Sequence, residues 1–76
     1  MPYKLGYVTL KAGSTGPAAK ELQRFLNDKL NLGLKLDGKI GPKTIAVIKK
    51  WQKDHGLKAD GLIGPKTKAL MNSMAN

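Results

Sequence analysis

Few side chains in this 76-residue sequence could carry out catalysis. There are five carboxylates, one histidine and no cysteine, against 14 Lys and Arg and a formal net charge of +9. Two of the carboxylates, Asp37 and Asp60, invite a glycosidase reading, since glycoside hydrolysis runs on a pair of acids. Each is followed by Gly, however, and the two sit in near-identical local sequence. Asp-Gly is the pattern of a tight turn, in which the carboxylate accepts backbone N–H groups and Gly takes a positive φ. The expectation is therefore two structural turns, with no catalytic residue and no enzymatic activity in the chain. His55 has no Cys or second His beside it, so no metal site is expected. The Asp37 loop also lacks the ligand spacing of a calcium loop. No cofactor is expected.

Binding chemistry is better represented. Lys39, Lys43 and Lys66 lie at or beside Gly-Pro steps. If those steps begin helices, the lysines stand near free backbone N–H groups and the positive end of a helix dipole, an arrangement that suits carboxylates. The net charge would draw the chain to a polyanion. Tyr7, Tyr3 and Trp51 are the aromatic candidates for a sugar face. Trp51 falls on an apolar stripe and reads as core, and Tyr3 is expected to be mobile near the terminus. Gln23 and Gln52 sit next to apolar stripes, facing a groove or solvating a flank.

The elements that position these residues are marked by an internal repeat. Asp37-Gly38-Lys39-Ile40-Gly41-Pro42-Lys43-Thr44 recurs 23 residues later as Asp60-Gly61-Leu62-Ile63-Gly64-Pro65-Lys66-Thr67, with seven of eight positions identical. Gly13-Ser14-Thr15-Gly16-Pro17 is a weaker third echo. Pro is favoured at the first helical position, where its missing N–H is no loss, and Gly is acceptable as the cap before it. Thr44 and Thr67 fall in the first turn, where a hydroxyl can meet free donors. Apolar residues at i, i+3, i+4 then predict three helices. The first runs over 17–30, with Ala18, Leu22, Phe25, Leu26 and Leu30 on its stripe. The second runs over 42–55 on Ile45, Ile48 and Trp51, and the third over 65–74 on Leu70, Met71 and Met74. Gly56 reads as the residue that ends the second, and Gly33 lies just past the first. Ile40 and Ile63 are expected to plug the core beneath their turns. Leu36, Leu57 and Leu62 cannot all be solvated along with them. Residues 7–10 read as a short extended segment packed on the bundle.

The fold class is thus all-α: a small three-helix bundle with two Asp-Gly-x-x-Gly-Pro-x-Thr loop-helix units and an extended N-terminal segment. One domain is expected over 1–76, its core about 8–74. No apolar run approaches 18 residues, so no membrane span is expected. Met1 to Leu5 lacks a signal-peptide stretch, so export would need a larger protein or phage delivery.

These residues carry a resemblance. Gly-Ser-x-Gly-Pro, Leu22-Gln23-x-x-Leu26-Asn27, the Asp37–Thr44 motif, Trp51-Gln52 (where Phe-Gln is usual) and the second motif ending at Thr67 together resemble the three-helix peptidoglycan-binding domain. The resemblance covers about Leu10 to Leu70. It implies a non-catalytic module that holds a wall-cutting enzyme, such as a phage endolysin, on peptidoglycan at the bacterial cell wall. The partner would be the glycan strands or stem peptides, with a linked or separate catalytic domain. Binding would be metal-free and the module monomeric. The ligand-binding residues expected are Lys39, Lys43, Lys66, Tyr7 and Gln52, in a shallow groove near the two Gly-Pro turns.

A small basic helical nucleic-acid-binding protein is the competing reading, with Lys49, Lys50 and Lys53 on the second helix and Lys66 and Lys68 on the third. Against it, Arg24 is the one arginine, base-reading side chains are scarce, and DNA binding has no use for the repeated turns. A membrane-surface role is disfavoured, because no helix joins a strongly basic face to bulky apolar residues.

Overall fold

The computed structural model describes residues 3–74. Met1 and Pro2, part of the N-terminal stretch read above, and residues 75–76 lie outside the described residues. The chain forms α1 (Pro17–Leu30), α2 (Pro42–Asp54) and α3 (Pro65–Ser73). The three starts match the Gly-Pro expectation: Gly16, Gly41 and Gly64 are the caps, each with Pro directly after it. The cap carbonyl accepts the first helical bond in every case, from Lys20 N–H at 3.1 Å, Ile45 N–H at 3.1 Å and Lys68 N–H at 2.9 Å. No side chain caps the N-terminus of any of the three helices. The expected capping role of Thr44 and Thr67 is therefore corrected: both residues are largely buried, and Thr67 Oγ1 accepts from Gln52 Nε2 instead.

The helix ends follow local backbone chemistry. At α2, Leu57 N–H donates to Gln52 O at 2.8 Å and Gly56 N–H to Lys53 O at 3.2 Å. This is a Schellman ending, with Gly56 at φ 72° as the left-handed residue. At α1 the left-handed residue is Asn31 at φ 57°, two positions before Gly33. Asn tolerates that region better than other side chains.

Phe25 lies at the centre of the core. It meets Tyr3 edge-on at 5.2 Å and Trp51 edge-on at 5.9 Å, near-perpendicular pairings that suit aromatic quadrupoles. Leu22, Leu26, Ile48, Ile63 and Met71 close around it, and Ile40 and Ile63 plug the core beneath their turns as expected. Several placements differ. Ala19, and not Ala18, faces fully inward, while Leu30 at the end of α1 is exposed. Leu57 is half-buried, and Leu36 and Leu62 remain exposed at the turns. Tyr3 is not mobile. It is buried, donates to Asp28 Oδ2 at 2.6 Å and lies under the Arg24 guanidinium at 4.7 Å. The core thus begins with Tyr3 and Leu5, ahead of residue 8. In the extended segment Leu10 is buried, but Tyr7 and Val8 point outward.

The two Asp-Gly turns are held by buried glutamines. Gln23 Nε2 donates to Lys39 O at 2.9 Å and Asp37 Oδ1 at 3.0 Å, while its Oε1 accepts Gly38 N–H at 2.8 Å. Gln52 repeats the wiring at the second turn. Its Nε2 donates to Leu62 O at 2.9 Å, and its Oε1 accepts Gly61 N–H at 3.0 Å. The aspartates close their own turns, accepting Lys39 N–H at 3.0 Å and Leu62 N–H at 2.9 Å. Gly38 and Gly61 sit at φ 70° and 74°. A Cβ on Gly38 would also stand 3.0 Å from Gly16 O, so side chains are excluded twice over.

Each turn is then tied to the N-terminal chain by one isolated antiparallel bridge, Thr15 with Lys39 and Leu10 with Ile63. Among the described residues there is no longer strand. Replacing Gln52 by Leu strands a buried N–H and a carbonyl at once. It is expected to cost about 2–3 kcal/mol and to lower Tm by about 10–20 °C. A thermal melt that moves by only a degree or two would show that the turn does not depend on this amide.

Candidate functional site

The repeat builds two matching concavities. The first, of about 380 Å³, lies at the first Gly-Pro turn and is lined by Lys35, Asp37, Lys39, Pro42, Lys43 and their neighbours. The second, of about 430 Å³, lies at the second turn and is lined by Asp60, Leu62, Pro65, Lys66 and Thr67, with Thr9 at its edge. Equivalent positions of the motif line both. The difference is chemical. Lys39 of the first motif is replaced by Leu62 in the second, and Lys35 adds a further cation to the first. The first groove is therefore the more basic. No residue lines both, so the shallow groove expected near the two Gly-Pro turns is two separate grooves.

The other two expected ligand residues lie elsewhere. Tyr7 belongs to a third groove of about 380 Å³, between residues 3–7 and the Lys68 and Asn72 face of α3. Gln52 lines none of these grooves. It is 0% exposed and its amide is spent on the Asp60 turn. Its expected place at the ligand is corrected to a scaffold role. Gln23 does line the first groove, one of its two expected places, but it is buried and its amide clamps the first turn.

Sequence reasoning missed two features. A fourth concavity, of about 500 Å³, runs between the end of α1 and α2, lined by Leu30, Leu32, Val47, Trp51 and His55 among others. His55 stacks on Trp51 at 4.2 Å, and its Nδ1 lies 2.7 Å from the Trp51 carbonyl, which fixes the proton on Nδ1. The second feature is Lys68. Counted among the helix lysines of the nucleic-acid reading, it is only 7% exposed. Its Nζ donates to Gly6 O at 3.1 Å and to Val8 O. Burial pushes its pKa below the usual lysine value. No sequence signal separated it from the solvated lysines.

Electrostatics at the first turn favour the ionised carboxylate. The Gln23 amide, and then the Lys39 N–H, hold Asp37 below the usual carboxylate range. Among the described residues no group of three metal-ligating side chains gathers.

The family model of the peptidoglycan binding domain matches residues 15–71. The chain belongs to the peptidoglycan-binding domain family. Solved structures of similar fold agree. The N-terminal domain of SleB is 30% identical, with a TM-score of 0.86 over 93% of this chain and 97% of that one. The Burkholderia AP3 phage endolysin is 36% identical, with a TM-score of 0.77 over 92% of this chain. A peptidoglycan-binding protein from Clostridioides difficile, solved with glutamine hydroxamate, is 32% identical, with a TM-score of 0.78 over 87% of this chain. The chain spans 41% of the Clostridioides difficile protein and 26% of the endolysin. No curated protein matches it. The family span takes in the first Gly-Pro groove and, apart from Thr9, the second, but not residues 3–7.

A carboxylate whose folded pKa is depressed stabilises the fold above its unfolded pKa, and that contribution disappears as pH falls through the folded value. Tm is therefore expected to fall on acidification below about pH 4, the ordinary range for an aspartate. Asp37→Asn keeps the Oδ1 acceptor and should flatten part of this fall. Identical acid profiles for the variant and the parent chain would remove Asp37 from the explanation.

Proposed function

We propose that this domain is a non-catalytic anchor that binds bacterial peptidoglycan and keeps a lytic enzyme on the cell wall. The observation that carries this reading is the pair of glutamine-clamped Asp-Gly turns, each leading through Gly-Pro into a helix and each opening a groove. The stem peptides and lactyl groups of peptidoglycan are rich in carboxylates. Lys39 and Lys43 stand exposed beside the start of α2, where the helix dipole adds to their charge. Lys66 does the same for α3. Attraction at this surface is long-ranged and screened by salt, so binding is reversible and falls with ionic strength. The domain acts as a monomer, with the chemistry supplied by a linked or separate catalytic domain.

The nucleic-acid reading loses one of its five lysines from the open surface, since Lys68 is buried and donates to the Gly6 and Val8 carbonyls. Any chain of +9 still associates with DNA at low salt. The test is therefore co-sedimentation with purified DNA-free sacculi at about 150 mM salt, with and without a DNA competitor. Saturable retention that survives the competitor is the expected result. Loss of retention under either condition would overturn the reading.

The two grooves should contribute unequally. K39Q/K43Q is expected to weaken sacculus binding by about tenfold, as the loss of roughly 1.4 kcal/mol of charge interaction, and K66Q by clearly less. Tm should stay within a few degrees in both, because exposed lysines hold little of the fold. Equal affinity of the double variant and the parent would remove the first turn from the binding surface.

A further inference from the structure

The third groove has a composition that neither turn groove shares. Its wall is the N-terminal segment, pinned in place from both sides. Leu5 is buried in the core, Lys4 N–H donates to Glu21 Oε1 at 3.2 Å, and Lys68 Nζ grips the Gly6 and Val8 carbonyls. Gly6 at φ 71° turns the chain outward between those anchors. Tyr7 is thereby presented 104% exposed, as one of the residues lining the groove. An aromatic residue kept fully in water by a buried ammonium tether has no packing role.

Opposite it, α3 presents Lys68 and Asn72, one turn apart on the same face. Lys68 uses two of its three N–H donors on the carbonyls, leaving one. Asn72 Oδ1 is shielded from solvent and has no hydrogen-bond partner among the described residues. Such an orphan acceptor is costly. Asn72 is itself one of the residues lining the groove. No acidic side chain lines the groove.

We propose that this groove is a saccharide subsite, in which a pyranose ring lies on Tyr7 and its hydroxyl groups pair with Lys68 Nζ and the Asn72 carboxamide. The orphan acceptor decides the ligand chemistry. A hydroxyl both accepts from Lys68 and donates to Asn72, whereas a carboxylate only accepts and would leave Oδ1 unsatisfied. An aromatic face with a few convergent polar groups is the usual composition of a small-ligand site. The inference rests on the peptidoglycan reading only for the source of the sugar. It assigns the glycan strand to the N-terminal groove and leaves the carboxylates to the Gly-Pro turns.

The test is an amide NMR titration of the described chain with chitotetraose, a neutral N-acetylglucosamine oligomer, and in parallel with N-acetyl-D-Ala-D-Ala. Chitotetraose is expected to shift Gly6, Tyr7, Val8 and residues 68–72 in a saturable way. Tyr7→Ala should weaken that binding about five- to tenfold, and Asn72→Leu by a similar factor. Tyr7 has no contact to lose, so its variant keeps the parent spectrum elsewhere and folding does not confuse the result.

Three outcomes overturn the subsite: no shift in this groove, equal affinity of Tyr7→Ala and the parent, or shifts here from the dipeptide and not the sugar. Sacculus retention of the parent chain, measured separately, distinguishes failure of this subsite from failure of the peptidoglycan reading. Retention without a chitotetraose response removes the subsite and leaves the wall anchor standing.

Discussion

A primary amide buried under each Asp-Gly turn sets the geometry of everything above it. Gln23 and Gln52 each give an N–H to a turn carbonyl and take an N–H from the turn glycine. One side chain thus satisfies both polarities of a backbone segment that turns too sharply to pair with itself. The glycine must then adopt a positive φ, which admits little else at that position. Once the turn is closed, Ile40 or Ile63 drops into the core two residues after the glycine, and Gly-Pro starts the next helix. The place of the exposed lysines follows from that chain of constraints, although none of them touches the amide.

The same device appears a third time in a looser form. Asn27 Nδ2 donates to Leu34 O at 2.8 Å, and Asn27 Oδ1 accepts Leu34 N–H at 2.6 Å. The Leu-rich stretch after α1 has no regular structure of its own, and this pair gives its backbone a partner. Side-chain amides therefore do for the loops what a sheet would do in a larger protein. In a domain of this size, with a limited core, that substitution matters because an unpaired buried peptide group costs as much as an ordinary core mutation.

The helices were legible in the sequence because their signals are local. Gly-Pro marks each start, and the i, i+3, i+4 stripes of Leu22, Phe25 and Leu26 or Ile48 and Trp51 set the buried faces. The Asp-Gly turns were legible for the same reason. The fates of Gln23, Gln52 and Lys68 were not, because each is decided by a partner distant in the chain. Gln52 looks like a flank residue until the second turn folds back on it, and Lys68 resembles Lys66 until Gly6 and Val8 arrive from the other end. Tyr3 was misread on similar grounds: its burial depends on Phe25, Asp28 and Arg24, which its position near the terminus does not reveal. Of the candidate site, the lysines at the turns were readable, while their division into two grooves of unequal charge required the structure.

The boundary of the family match and the boundary of the physical fold do not coincide. The match begins at residue 15, yet Tyr3, Leu5 and Leu10 are core residues. Leu10 also exchanges both backbone bonds with Ile63, at 3.1 and 2.8 Å, so the second turn leans on a residue outside the matched span. The N-terminal segment is thus a structural part of this chain, bought with a buried lysine. A buried ammonium held by carbonyls alone is an expensive fastening, since desolvation opposes the charge and no carboxylate repays it. An apolar side chain at position 68 would seal the core at lower cost but would release Gly6 and Val8. What the costly version retains is a rigid outward bend, and the one side chain that bend displays in full is Tyr7.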